Sequence, residues 1–428
     1  MEPIPDHRRR VLSWAWYDWA NSAFATTVMA AFFPVFFKEY WNTGISAQQS
    51  SWRLGVTSGL ASVAVAVMAP LMGAVADRGR AKKRFLLAFT LLGGAATGAL
   101  YWVGQGQWLA AATLFGLGSV AFGAGIVFYD SLLLSVATPG REDSTSALGY
   151  ALGYLGGGLL FALNVAMALW PQSFGLADQA AAVRVAFLSA ALWWLVFAVP
   201  LFLFVPEPDR GGALHGAAAL RAGYRQLATT FADIRRVRHV FLFLAAYWLY
   251  IDGVDTVIRM AVDYGLALHF PTNSLLVALA ITQFVGFPAA LVFGRLGERV
   301  GTRTSLLAGI GVYVAVTIWA YFMDSVAEFY GLAVVVGLVQ GGVQALSRSF
   351  YARLIPPDRA AEFFGFYNML GKFAAVIGPP LVGWVGMLTG NSRLGLLSII
   401  VLFAAGGFLL TRVRQDEGER VAAQGHRR

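Results

Sequence analysis

Cysteine is absent from all 428 residues, which excludes disulfides, thiolate metal centres and a cysteine nucleophile while leaving the compartment undecided. Histidine is scarce: His7, His215, His239, His269 and His426 all fall in loops or at the ends of apolar stretches. Neither H-E-x-x-H nor G-x-S-x-G occurs, so no enzyme, cofactor or metal site is expected. Charge is short as well. Only 13% of residues are Asp, Glu, Lys or Arg, 58% are hydrophobic and mean hydropathy is +0.63, too apolar for a soluble chain. The short alternating segments of a membrane β-barrel are missing too.

What is present is a succession of apolar stretches, twelve in all, each long enough to cross a bilayer as a helix. They run over 12–38, 54–76, 85–104, 108–134, 146–170, 183–205, 239–268, 274–294, 305–323, 327–350, 363–389 and 393–412. Arg8-Arg9-Arg10, the apolar run after it and Ala23-Phe24-Ala25 mimic a cleavable signal, but Asp18 interrupts the run and it continues to Phe37. An uncleaved first span is expected. Of the 32 Lys and Arg, twenty-five fall on the amino-terminal side of the membrane and four, Lys38, Arg53, Arg184 and Arg393, on the other. That bias places both termini in the cytoplasm and explains the +9 net charge without nucleic acid.

The chain repeats itself. Asp18 and Asn21 in the first span match Asp252 and Asp255 in the seventh, "GAVADR" (Gly73 to Arg78) matches "GRLGER" (Gly294 to Arg299), and Pro139 matches Pro356. The offsets, 234, 221 and 217 residues, make the repeat unit six spans, the pattern of a two-domain transporter. The expected organisation is therefore an all-α membrane protein with a six-helix half over 1–205, a central loop over 206–238, a second half over 239–412 and a tail over 413–428. Leu220, Tyr224, Leu227, Phe231 and Ile234 recur at helical spacing in the central loop, predicting an amphipathic helix on the inner membrane surface.

The turn "GAVADRGRAKKR" (Gly73 to Arg84) resembles the loop 2-3 signature of the major facilitator superfamily. "WYDWANSAF", "SALGYALGYLGGG" and "QALSRSFYARLIPPDRAAEFFGFYNMLGKFAAVIGPP" narrow the resemblance to its vacuole-effluxer-like branch, related to autophagy-linked amino-acid effluxers of fungal vacuoles. The resemblance covers nearly the whole chain. It implies the major facilitator fold, a monomer, and a latch at Asp77 and Arg78, with Glu298 and Arg299 as repeat equivalents. Asp130 departs from the asparagine expected there, which leaves its role open.

Polar residues inside the spans are the site candidates, because a charge at the bilayer centre costs roughly 2.5 to 3.5 kcal/mol and requires a partner or a wet cavity. Asp18, Asn21, Ser22 and Ala25 share one helix face. For Asp18 a structural bond and a coupling role both stay open. Asp252, Asp255 and Arg259 form the leading candidate: Asp255 and Arg259 have ion-pair spacing, and Asp252 lies about 18 Å into its span. Lys372 is placed at mid-depth to receive a substrate carboxylate. Asp130 and Arg348, at matched depths in spans four and ten, suggest a gate pair or ordinary interfacial residues. Gln283, Gln340, Gln344, Asn164 and Asn368 can line the same cavity or bond neighbouring helices. Gly149, Gly153 and Gly157 form a packing row, and Gly378-Pro379-Pro380 should break or kink span eleven. Gly365 and Gly371-Lys372 fail as a phosphate loop because their spacing is wrong and Phe373 stands where Ser or Thr is required.

The sequence thus points to a secondary transporter in a lipid bilayer, moving a small solute by alternating access, with amino acids or similar zwitterions favoured and a proton as possible coupling ion. A bacterial cytoplasmic membrane is the expected location. Drug or lipid efflux is the transport alternative, and a non-transporting receptor or scaffold the alternative of another class.

Overall fold

The computed structural model describes residues 4–207, 221–226, 229, 238–268, 270–373 and 377–414. Most of the predicted central-loop helix and most of the tail lie outside the described residues. Among the described residues there is no strand.

Six helices build the first half: α1 (Asp6–Trp41), α2 (Ala47–Gly79), α3 (Lys82–Ala99), α4 (Trp108–Ser131), α5 (Glu142–Leu169) and α6 (Gln179–Phe204). The second contains α7 (Arg238–Ala267), α8 (Thr272–Val300), α9 (Thr302–Phe322), α10 (Val326–Leu354), α11 (Ala360–Lys372), α12 (Gly378–Thr389) and α13 (Arg393–Thr411). Among the described residues, eleven helices are long and apolar enough to cross a membrane. The stretch predicted as one span over 363–389 is instead two shorter helices, α11 and α12, each below spanning length by itself. Pro379 and Pro380 force that break, since neither supplies an N–H to continue a helix from the preceding turn.

Helix starts are fixed locally. Ser46 accepts from the Gln49 N–H, Asp178 from the Ala181 N–H, and Ser325 with Glu328 completes a capping box, so α2, α6 and α10 begin on satisfied donors. In α1 the α-helical geometry holds through Ala23 and then widens to a π-helix over Phe24–Phe32, which the sequence reading missed.

One end of the bundle carries the arginines of the α1 start, the α2–α3 turn and the α10 end, and is here called the basic end. At this end the halves meet through α2 against α11 and α5 against α8. Both crossings are made by glycine in the repeated motif. A methyl group at Gly73 would overlap the Ala361 carbonyl oxygen, and one at Gly294 would overlap Ala147. Gly365 does the same from the other side, its missing Cβ leaving room for the Pro70 Cα at 2.6 Å. Toward the opposite end the glycines of α2 and α12 face open space: Gly55, Gly59 and Gly383 meet nothing within 4 Å. The halves are closed together at the basic end.

A Gly73→Ala variant should wedge the basic end apart. Because the chain has no cysteine, Ala345→Cys, buried at that end, is a clean reporter: its maleimide labelling should rise several-fold in the Gly73→Ala background, and equal rates would reject the wedge.

Candidate functional site

The α1 face read from the sequence points into the protein because α5 lets it. The Gly149, Gly153 and Gly157 row lies against it: added methyls would fall 2.7 Å from an Asp18 carboxylate oxygen, 2.6 Å from the Ser22 hydroxyl and 2.9 Å from the Thr26 hydroxyl. This close crossing places Asp18, Asn21, Ser22, Ala25 and Thr26 along one wall of a cavity between the halves. Widening of α1 to π geometry begins within that wall, at Phe24.

Arg348 on α10 closes the cavity at the basic end and is 2% exposed. Its Nε donates to the Ser146 hydroxyl at 2.9 Å and one terminal nitrogen to the Ser146 carbonyl at 2.8 Å. The other terminal nitrogen pairs with Asp130 at 3.1 Å and lies 3.4 Å from Asp18. Its guanidinium plane also stands over the Trp14, Tyr129 and Tyr150 rings, at 4.9, 5.4 and 4.4 Å. A lysine offers neither the fork nor the planar face. All of these partners belong to the first half. Tyr129 donates to Asp18 at 2.8 Å, and Asn368 on α11 donates to Asp130 at 3.1 Å. The aspartate that stands where an asparagine was expected thus gives the buried guanidinium a counter-charge.

Lys372 ends α11, where the negative end of the helix dipole favours a cation, and lines the cavity. Its side chain crosses to the first half: a methyl at Gly123 would meet the Lys372 Cε at 2.9 Å, and its Nζ is 5.8 Å from the Phe122 ring centre. Asp255 also lines the cavity. The side chain of Arg259 lies outside the described residues, so its expected pairing with Asp255 is not part of the site described.

Asp252 requires a correction. It does not face the cavity: its carboxylate accepts the Ile377 N–H at 3.0 Å and the Gly378 N–H at 2.8 Å, capping the start of α12, with the Thr256 hydroxyl at 3.3 Å. The break at Pro379-Pro380 exposes these donors, and a carboxylate on the positive end of a helix is their natural partner. Only glycine fits at 378, because a methyl there would overlap the Thr256 hydroxyl. The residue chosen as leading site candidate is therefore spent on holding the broken helix.

The predicted latch at the basic end is also a capping interaction, made between halves. Asp77 accepts the Glu362 N–H at 2.9 Å and the Ala361 N–H at 3.3 Å at the start of α11, and pairs with Lys82 at 2.7 Å. Arg78 donates to Gln226, which donates to Glu362, so the described part of the central loop joins the latch. Its repeat equivalent is weaker. Glu298 sits 3.8 Å from the 68%-exposed Arg141, and Arg299 is exposed in the last turn of α8. The buried counterpart is Asp143, which the sequence reading passed over. It pairs with Arg353 at 2.8 Å, accepts from Thr302 at 2.7 Å and also accepts from Ser349, again joining the halves.

Gln283, Gln340, Gln344 and Asn368 line the cavity, and Gln283 reaches across to Thr26 at 3.1 Å. Asn164 does not; it accepts from Ser189 within the first half. Tyr150, Tyr154, Tyr247 and Tyr367 complete the lining and were not anticipated, although Tyr150 and Tyr154 each follow a glycine of the row. A second cavity lies among α7, α8, α9 and α10, is walled mostly by apolar side chains, and shares Gln283 and Gln340 with the first.

With this geometry in place, similarity to known proteins is informative. The family model described as "Vacuole effluxer Atg22 like" matches residues 40–423. An uncharacterized MFS-type transporter of Bacillus subtilis, YxiO, is 37% identical over 414 residues, covering 96% of either chain. Autophagy-related protein 22 of Yarrowia lipolytica is 24% identical across 89% of this chain and 78% of its own. In fold, the proton:xylose symporter XylE superposes with a TM-score of 0.73 at 12% identity, over 95% of this chain and 96% of its own.

Two consequences for stability follow from the site. Arg348→Ala strands two carboxylates and should lower stability by about 3–5 kcal/mol, whereas adding Asp130→Ala to it should recover part of the loss. Thermal unfolding of the four proteins of the cycle checks this, and additive losses would dissolve the pair. Separately, Asp252→Ala leaves two buried N–H groups unpaired and should cost about 1–3 kcal/mol without weakening solute binding; a folded variant that loses binding would return Asp252 to the site.

Proposed function

The chain belongs to the Atg22-like vacuole effluxer family, and from that premise we propose that this multi-pass membrane transporter moves an amino acid or similar zwitterion by alternating access, coupled to a proton. The observation that carries the reading is one cavity between the two halves in which cations and carboxylates face each other: Arg348 and Lys372 with Asp18, Asp130 and Asp255. A zwitterion needs a donor for its carboxylate and an acceptor for its ammonium. Lys372 takes the first role and Asp255 the second, because Arg348 is already spanned by Ser146, Asp130 and Asp18.

In this reading the basic end is cytoplasmic, in keeping with the positive-inside bias, and the described conformation is closed toward the cytoplasm. The α11–α12 pair acts as one broken span, making twelve, and the protein works as a monomer in a cytoplasmic membrane. Opening the cytoplasmic side separates Arg348 from every partner on the first half. Protonation of Asp18 or Asp130 removes the charge that holds it, which lowers the cost of opening and ties solute movement to the proton gradient. Asp77 and Asp143 resist the same motion as gates.

Efflux of an amphiphile is the second reading, favoured by the apolar cavity that adjoins the polar one at Gln283 and Gln340. Proteoliposomes with an imposed pH gradient separate the two. Labelled amino acids should accumulate with the parent protein, while Asp18→Asn should lose gradient-driven accumulation yet keep solute exchange. Accumulation of amphipathic dyes with no amino-acid movement would select the second reading. Movement of neither class would point to a receptor or scaffold.

A further inference from the structure

Where α1 begins and α6 ends, at the basic end, an open groove is lined by Arg8, Arg9, Leu12, Trp16, Pro200 and Phe204. It lies outside the transport cavity and shares no residue with it. Both helices reach the membrane boundary here, since Arg8 and Arg9 stand near the start of the first candidate span and Phe204 at the end of the sixth. We infer that this groove binds one anionic phospholipid of the bilayer, its phosphate against Arg8 and Arg9 and an acyl chain along Leu12, Trp16, Pro200 and Phe204.

Three observations support the assignment. First, the charge is positive: Arg10, the third arginine of the run, is paired with Asp6 at 2.7 Å, and among the described residues no carboxylate is paired with Arg8 or Arg9. Second, the groove is built. The Arg9 guanidinium lies over the Phe204 ring, 3.5 Å from its centre, so the cation is seated on the apolar wall of the groove. The Lys83 ammonium donates to the Phe202 and Val205 carbonyls at 2.9 and 2.7 Å, holding the end of α6 on either side of Phe204. Third, the wall beneath the arginines is apolar. A soluble anion gains nothing from Leu12, Trp16 and Phe204, whereas a lipid satisfies the cations and covers that wall in one molecule.

The test uses the full-length protein purified in neutral detergent, with thermal unfolding followed during titration with dioleoyl phosphatidylglycerol, dioleoyl phosphatidylcholine, or inorganic phosphate. Native mass spectrometry counts the retained lipid. Phosphatidylglycerol should raise the unfolding midpoint, with one molecule retained, and the other two additives should not. Arg8→Gln with Arg9→Gln should weaken the response by about tenfold or more, while Arg221→Gln with Arg225→Gln, which removes the same charge at two exposed positions between the halves, should leave it within about twofold. Equal weakening in both double variants would reduce the effect to general attraction of a basic surface and overturn the site. A shift produced equally by inorganic phosphate would replace the lipid with a free anion, and an equal response to phosphatidylcholine would remove the role of charge. Each of these outcomes leaves the transport reading untouched.

Discussion

One buried guanidinium sets the terms for the rest of the molecule. Arg348 comes from the second half, yet its hydrogen bonds and ion pairs run to Ser146, Asp130 and Asp18 of the first. A guanidinium cannot shed its charge, so in a 2%-exposed position it must keep partners or be rehydrated. Closure of the two halves at the basic end and satisfaction of Arg348 are therefore one event. The aromatic faces around it, Trp14, Tyr129 and Tyr150, exclude water as well as attract the cation, which makes a partial separation of the halves costly.

The remaining contacts between the halves depend on backbones coming close enough for short polar side chains to reach. Glycines at 73, 294 and 365 remove the Cβ atoms that would hold the helices apart. Asp77 then reaches the free N–H groups of α11 across the interface, and Asp143 reaches Thr302, Ser349 and Arg353. The same use of a carboxylate on a helix start recurs within the second half, where Asp252 caps α12. Each half of the broken α11–α12 element thus begins on an aspartate from another helix, and Lys372 sits on the negative end between them. Interrupting the helix exposes two dipole ends in the membrane, and the sequence supplies an opposite charge for each.

How much of this was legible can be judged residue by residue. The polar face of α1 and the glycine row of α5 were readable because helical periodicity alone decides which side chains share a face, although the partner of that row was not. The break at Pro379-Pro380 was readable from covalent chemistry. Asp252 and Asp255 mark the limit. Three positions apart on one helix, they looked equivalent, yet one caps α12 and the other lines the cavity, because the difference lies in which neighbour each meets after folding. Asp143 was missed for a related reason: an acid in the first turn of a helix reads as ordinary dipole chemistry, and its burial is created by α9 and α10, more than 150 positions away. The tyrosines of the cavity were hidden in a chain with fifteen of them.

The economy of the buried charges bears on why they are there at all. Ion pairs in a low-dielectric interior seldom stabilise a fold more than apolar side chains of equal volume would. If stability alone mattered, Arg348 and Asp130 would have no advantage over a leucine and a methionine. What the charged set does, and an apolar set cannot, is make the strength of the contact depend on protonation, hydration and the presence of a charged solute. A closed end held by leucines would open at a fixed cost; under the proposed coupling, one held by Arg348 opens at a cost that a proton on Asp18 or Asp130 lowers. Asp77 and Asp143 sit farther toward the basic end, where water entering from that side would replace the bonds they lose. Along one path, Asp77 and Asp143 at the latch and then Asp18 and Asp130 at Arg348 each reach a partner on the opposite half, so each of these carboxylates loses a bond when the halves part.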